Sequence, residues 1–197
     1  MPYTAEHKAR TRTRIVDAAR GLFNRHGFEQ VSIDQIMEAA ELTRGGFYNH
    51  FSSKDDLYAE TVASFARCNP LAIQQASAKR PITDPKKLAR TLVDLYLSDE
   101  VFDDPDQHCP LYALPSDVAR AGAKPRLAYT DIIRGMTHVY RSAFEPGARD
   151  AERKAQLIVS LCVGGMVLAR TTEDEKLAKS LRANARRQAM ELLDSAD

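Results

Sequence analysis

Closely spaced helix-start signals between residues 32 and 54 constrain this chain more than any other feature. Ser32 and Gln35 have the spacing of a capping box, in which the hydroxyl accepts the Gln35 N–H and the glutamine side chain reaches back. Thr43 suits a second N-cap, and Ser53 suits the cap of the following helix. A short helix, a tight turn at 41–42 and another short helix have the spacing of a helix-turn-helix.

Apolar residues recur at helical spacing along the rest of the chain, without a convincing alternating strand. Gly27 is the predicted stop signal of a first helix from Thr11 to His26. Further helices are predicted over about 85–98, 111–121, 125–145, 150–170 and 174–194, with a loop at 103–110 and a capping box at Thr172–Glu175 before the last. The sequence therefore predicts an all-α fold.

Composition narrows the class of protein. The chain has 197 residues, of which 44% are hydrophobic and 28% charged, as in globular domains. It has no apolar run long enough for a membrane-spanning helix and no N-terminal secretory signal, so we expect a cytoplasmic protein that does not contact membranes. The formal net charge is only +1, but basic residues dominate the first 25 positions, where a DNA backbone can be met.

The second short helix carries the side chains that we expect to face DNA. Arg44 can pair with guanine, and Asn49 can read a base or hold a phosphate. Gly45 is costly in a helix, and close approach to another surface explains that cost. We predict DNA contacts from Ser32, Thr43, Arg44, Gly45, Tyr48, Asn49, His50 and Lys54. Alternatively, Tyr48 only packs beside Phe47, and His50 only ends the helix.

Two stretches together resemble the signature of the tetracycline-repressor (TetR) family over residues 11–58. The first is Thr13–Phe23 followed by Gly27-Phe28, and the second runs from Ser32 through Phe51 to Leu57. The resemblance implies a homodimeric repressor of about nine helices, with a three-helix DNA-binding domain over 1–54 and an effector-binding and dimerisation domain over 55–197. It also implies that the lysine at position 54 touches phosphate and that the partner is a double-stranded DNA operator, which is palindromic if the dimer is two-fold.

Glu41 departs from this family, which usually has glycine in the turn. A left-handed backbone at a residue with a side chain costs on the order of 1 kcal/mol. A carboxylate near phosphates also opposes DNA binding. Glu41 therefore puts the turn geometry and the DNA affinity in question, but not the fold.

The last two predicted helices carry the candidate dimer interface. Small residues such as Gly164 and Gly165 allow two helices to approach closely. In the resembling family, the last two long helices pair with their symmetry mates as a four-helix bundle. We expect the interface to include Leu157, Leu161, Gly164, Gly165, Leu168, Leu181 and Ala185.

The effector is predicted less sharply. Apolar and aromatic residues of the C-terminal domain form either a pocket or an ordinary core; the candidates are Phe102, Tyr112, Met136 and Tyr140. Cys109 precedes a predicted helix, and a helix N-terminus lowers a thiol pKa and makes the thiol more reactive. Alternatively, Cys109 is a small buried packing residue, as a lone cysteine usually is. The resemblance adds that some family members with such a Cys-Pro-Leu stretch look like thiol-based sensors of oxidants or electrophiles. Cys68 and Cys162 are interpreted as packing residues.

Three other functions compete with DNA-binding regulation. An enzyme with Cys109 as nucleophile and His108 as base lacks a third orienting group, so we expect no enzyme. A metal-responsive module would use Asp106, His108 and Cys109, but no CxxC spacing supports a metal site, and we predict neither metal nor cofactor. The third is a protein-interaction scaffold that has lost DNA binding, which Glu41 makes conceivable.

Overall fold

A computed structural model describes residues 5–195, without the side chains of residues 67, 68, 70, 73, 74 and 107. This part of the chain is helical and contains no strand, which confirms the predicted all-α class. The α-helices are α1 Ala5–Gln30, α2 Ile33–Ala39, α3 Lys54–Cys68, α4 Pro70–Ser77, α5 Pro85–Tyr96, α6 Asp99–Asp103, α7 Pro110–Ala113, α8 Pro115–Arg120, α9 Ala123–Arg141, α10 Ala151–Arg170 and α11 Glu175–Asp194. Two 3-10 helices span Arg44–Asn49 and Pro105–Gln107.

The helices outnumber the nine that were expected. The segment predicted as one helix over 111–121 is split into α7 and α8, and Pro115 occupies the first turn of α8. The loop predicted over 103–110 contains a 3-10 turn. Within residues 5–195, no helix combines the length and the apolar character that crossing a membrane demands.

The chain divides into two compact units, Met1–Phe65 with Leu114–Asp131, and Ala66–Ala113 with Ile132–Asp197. In the first unit, the helix-turn-helix packs against α1. Ile15, Ala19 and Phe23 form the fully buried face of α1. The backbone of α1 breaks at Gly27, where φ is 76°, close to the predicted stop. The Phe28 N–H that this break releases donates to Asp117 at 3.3 Å.

The second unit is built around the antiparallel pair α10 and α11. Gly165 permits the close approach of these helices, because a Cβ added there would lie 2.8 Å from the Cβ of Ala185. The capping box predicted at Thr172 and Glu175 is wrong. Asp174 caps α11 instead, accepting the Leu177 N–H at 3.1 Å, while the Thr172 hydroxyl accepts the Asp174 N–H at 3.2 Å.

Candidate nucleic-acid interface

The helix-turn-helix begins with the predicted capping box. The Ser32 N–H donates to the Gln35 side chain at 2.8 Å, and the Gln35 N–H donates to the Ser32 hydroxyl at 3.2 Å. The second helix differs from the prediction in two ways. It is a 3-10 helix, and Thr43, although at its N-cap position, makes no capping hydrogen bond with its side chain. The Thr43 side chain is exposed and available for another partner.

The turn confirms the strain expected at Glu41, whose φ is 54°. Arg14 of α1 supports this turn, a role that the sequence analysis missed. Its Nη2 donates to the Ala40 carbonyl at 2.6 Å and lies 3.3 Å from the Glu41 carboxylate. The guanidinium therefore satisfies a carbonyl at the end of α2 and offsets the charge that opposes DNA binding.

Two buried phenylalanines hold the 3-10 helix so that its polar side faces solvent. Phe47 is 0% exposed and Phe51 is 2% exposed, whereas Tyr48 between them is 63% exposed. The Tyr48 ring meets the Phe47 ring edge-on at 5.2 Å, so it both packs and remains accessible. A Cβ added at Gly45 would meet no atom within 4 Å, so no contact inside the chain requires glycine there.

Arg44 stands at the start of this helix with an exposed side chain. It has a partner within the chain that the sequence did not indicate. Its Nη1 lies 2.6 Å from the Asp34 carboxylate, which belongs to the first turn of α2. The ion pair therefore bridges the two short helices.

Arg12 of α1 contacts the C-terminal end of the 3-10 helix. It donates to the His50 carbonyl and to the Glu60 carboxylate, and its guanidinium lies 4.0 Å from the Phe51 ring centroid. The His50 ring is half-buried, and its Nδ1 has no hydrogen-bond partner among the described residues. Burial, with the positive charges of Lys8 and Arg12, holds the pKa of His50 below its usual value. The His50 ring is therefore expected to be neutral near pH 7 in the free protein.

Lys54, the predicted phosphate ligand, has an internal partner. Its ammonium donates to the Phe28 carbonyl and lies 4.2 Å from the Phe28 ring centroid. Burial lowers the pKa of Lys54. The Ser53 hydroxyl accepts the Asp56 N–H at 3.1 Å, which confirms the predicted cap of α3. Contact between Lys54 and a phosphate therefore requires the ammonium to exchange partners.

A groove of about 690 Å³ lies between α1 and the 3-10 helix. Lys8 and Thr11 line one wall, and Thr43 and Asn49 line the other. A basic and hydroxyl-bearing groove beside a helix with an exposed polar edge suits a nucleic-acid backbone. In the sequence, only the basic density of the first 25 residues pointed to this wall.

The comparisons with known proteins agree with this geometry. Residues 15–61 match the family described as "Bacterial regulatory proteins, tetR family". Residues 15–61 are therefore a TetR-family domain. It is 40% identical over 57 residues to the HTH-type transcriptional regulator AcrR of Shigella flexneri, covering 29% of this chain and 26% of that protein. The matches to the first curated relatives therefore span well under half of their length.

Two longer likenesses extend beyond the N-terminal domain. The chain is 26% identical over 161 residues to TtgR of Pseudomonas putida, covering 77% of this chain and 76% of TtgR. A TetR-family regulator from Cytophaga hutchinsonii has the same fold, with a TM-score of 0.75, 16% identity, and coverage of 97% and 96% of the two chains.

The structure favours a packing role for Cys109 over a thiol sensor. The thiol is 2% exposed, and burial raises its pKa to about 12. His108 cannot help as a cation, because burial lowers its pKa. The other assigned cysteine, Cys162, is buried as predicted, with its pKa also raised to about 12 by burial. The side chain of Cys68 lies outside the described residues.

The remaining effector candidates lie in the second unit, where Tyr112 has a neighbour, Tyr96, that the sequence did not indicate. Tyr112 packs edge-on against Tyr96 with centroids 5.4 Å apart, and the Tyr140 hydroxyl lies 3.6 Å from the Cys162 sulfur. Met136 is buried as well. Phe102 is only half-buried, and its ring is covered by the Arg182 guanidinium at 4.1 Å. We call Tyr96, Cys109, Tyr112, Tyr140 and Cys162 the tyrosine–thiol cluster.

The candidate dimer residues fall into two groups. Gly165 and Ala185 are buried against each other within the chain, so their assignment to a dimer interface was wrong. The others lie on accessible faces of α10 and α11: Leu157, Leu161, Gly164 and Leu168 on α10, and Leu181 on α11. Leu157 is 41% exposed and Leu168 is 55% exposed, and the four α10 positions follow one helical face.

Proposed function

We propose that this protein is a homodimeric, DNA-binding transcriptional repressor, released from its operator by a small molecule. The observation that carries the proposal is the exposed polar edge of the 3-10 helix Arg44–Asn49, held by buried Phe47 and Phe51. Such an edge suits the major groove of B-DNA, about 12 Å wide. The family match over residues 15–61 and the regulator AcrR support the same function. Since bacterial DNA lies in the cytoplasm, we propose that location too.

The test is selection of DNA by the full chain. Purified protein is incubated with fragmented genomic DNA at moderate salt, and retained fragments are sequenced and then titrated by fluorescence anisotropy. We expect a palindromic consensus whose affinity exceeds that for random DNA by at least about a thousandfold. Equal affinity for every fragment would contradict the proposal and favour a protein-interaction scaffold.

The proposed dimer uses the Leu157–Leu168 face of α10 together with the accessible part of α11. Exposed leucines aligned on one helix form an apolar face that water disfavours and a second copy covers. Two copies would place two 3-10 helices about 34 Å apart, or a multiple of it, along the DNA. Sedimentation of the full chain tests this, with a dimer expected at micromolar concentration.

The proposed effector site is the tyrosine–thiol cluster with Met136. The Tyr112 hydroxyl is buried, so it can direct a polar group of a ligand that enters the cluster. Because the Cys109 thiol is buried and protonated, we propose a noncovalent effector instead of the thiol-reactive signal first expected. Any release of the protein from its operator by oxidants or electrophiles is expected to be as strong in Cys109→Ser as in the wild type. Loss of that release in the variant would support thiol sensing instead.

An enzyme based on Cys109 is not supported. A nucleophilic cysteine needs a thiolate, and burial of Cys109 disfavours it. The relatives that the chain matches are transcription regulators. Among the side chains that the structure describes, no three of His, Cys, Asp or Glu gather as a metal site.

A further inference from the structure

The ion pair between Asp34 and Arg44 is unusual for a surface that faces DNA. Asp34 lies in the first turn of α2, Arg44 is the first residue of the 3-10 helix, and the two side chains are 54% and 68% exposed. Exposed ion pairs contribute little to folding stability. A carboxylate beside the DNA also weakens attraction to phosphates. Neither stability nor general affinity therefore explains why Asp34 reaches Arg44.

The pair leaves part of the guanidinium available. The Asp34 carboxylate accepts a hydrogen bond from Nη1 of Arg44 at 2.6 Å. In the described part of the chain, no other residue accepts a hydrogen bond from the Arg44 side chain. A guanidinium carries five N–H donors in a planar fork, so a pair of parallel donors remains for another acceptor. Guanine presents two acceptors, O6 and N7, side by side in the major groove, and arginine binds them with such a pair.

The neighbours of Arg44 do not restrain it. Gly45 and Gly46 follow it, and Gly45 has open space where a side chain would lie. Without a partner, a long exposed arginine samples several rotamers and reaches phosphates as easily as bases. The Asp34 carboxylate, 2.6 Å from Nη1, favours one of these orientations before the DNA arrives.

We propose that Asp34 is a positioning residue that sets the base specificity of Arg44. Resting on the proposed DNA-binding function, the proposal assigns Asp34 to orientation of the guanidinium toward a guanine of each half-site. Asp34 lowers affinity for DNA in general and raises discrimination at one base pair. These two effects have opposite signs, which makes them separable from a role in helix stability.

The experiment compares Asp34→Ala with Glu38→Ala, a matched control. Glu38 is an exposed carboxylate on the same helix, without an ion pair among the described residues. Affinities are measured for the selected operator, for operators with each guanine changed to adenine, and for random DNA. Melting curves verify that both variants fold.

We expect both variants to bind random DNA more tightly than the wild type, since each loses a negative charge. Only Asp34→Ala is expected to lose discrimination at one guanine, by roughly tenfold. Arg44→Ala should lose discrimination at the same guanine, and the double variant should lose no more than Arg44→Ala alone.

Two results would overturn the proposal while leaving the DNA-binding function intact. One is undiminished discrimination in Asp34→Ala at every guanine of a selected operator. The other is a loss that adds in full to that of Arg44→Ala, which would mean that the two residues act separately. If the wild-type protein selects no operator at all, the proposed function itself fails, and this assignment fails with it.

Discussion

At the scale of single residues, Glu41 combines a strained backbone conformation with a charge that opposes DNA binding. Its φ of 54° lies in the left-handed region, which glycine adopts without steric cost. Arg14 partly offsets its charge at 3.3 Å, but both side chains are well exposed, so that ion pair stabilises little. The turn therefore keeps a strained backbone and a carboxylate next to the proposed DNA surface.

Glu41→Gly is expected to stabilise the fold by about 0.5–1 kcal/mol, because it relieves this strain. It should also strengthen binding to DNA, because a negative charge is removed. Urea unfolding and anisotropy titration measure the two effects. Glu41→Ala is the control, since it removes the charge but keeps the strained backbone, and should therefore improve DNA affinity without the gain in stability. A destabilised glycine variant would contradict this reading of the turn.

The buried thiols of Cys109 and Cys162 make the free energy of unfolding vary with pH in the alkaline range. Burial raises both thiol pKa values from 9.0 to about 12, so the folded chain keeps two protons that the unfolded chain releases. Their contribution is present below pH 9 and is lost as pH rises from 9 toward 12, by roughly 1.4 kcal/mol per pH unit for each thiol. Denaturant unfolding from pH 8 to 10 should show this decline, and Cys109→Ala should make it shallower. An unchanged slope in that variant would show that Cys109 is not the group responsible.

At the scale of helices, two adjacent glycines of α10 have different duties. Gly165 faces α11 with no room for a side chain, whereas a Cβ added at Gly164 would meet nothing within 4 Å. One glycine therefore sets the distance between α10 and α11, and the other lies on the face proposed to pair with a second copy.

Gly165→Ala is expected to destabilise the fold by about 1–3 kcal/mol, because its Cβ would overlap Ala185. Gly164→Ala should leave stability unchanged or raise it by up to about 1 kcal/mol, because alanine favours a helix. Both are measured by chemical denaturation at one protein concentration, since a dimer makes apparent stability depend on concentration. Equal effects of the two substitutions would contradict the assigned packing.

At the scale of the whole molecule, function depends on two copies acting together. A single 3-10 helix with a few polar side chains reads too few base pairs for tight binding. Linking two such helices through a dimer raises the effective concentration of the second one once the first is bound. The Leu157–Leu168 face of α10 is the surface on which that coupling is proposed.

Leu168→Asp is therefore expected to yield monomers and to weaken operator binding by roughly a hundredfold or more. Sedimentation velocity and anisotropy measure the two losses on the same sample. Leu127→Asp is the matched control, because Leu127 is a leucine of α9 that is 62% exposed and does not belong to the proposed dimer face. A monomeric Leu168→Asp protein with full operator affinity would contradict the role proposed for the dimer.

The sequence by itself determined the features that depend on neighbours a few positions apart. The capping box of Ser32 and Gln35, the cap at Ser53 and the stop at Gly27 are confirmed, because each depends on residues within three or four positions. The family signature is similarly local, since residues 15–61 contain it. The all-α class followed from helical periodicity alone.

Tertiary structure decided whatever depends on partners distant in the chain. Arg14 supports the turn across 27 positions, and Arg12 reaches the end of the 3-10 helix across 38. Cys109 was placed near a helix start by sequence, but burial raises its pKa. Gly164 and Gly165 look alike in the sequence and differ only in what faces them. Local spacing fixes which backbone hydrogen bonds a segment can make, whereas burial and long-range ion pairs exist only once the segments have packed.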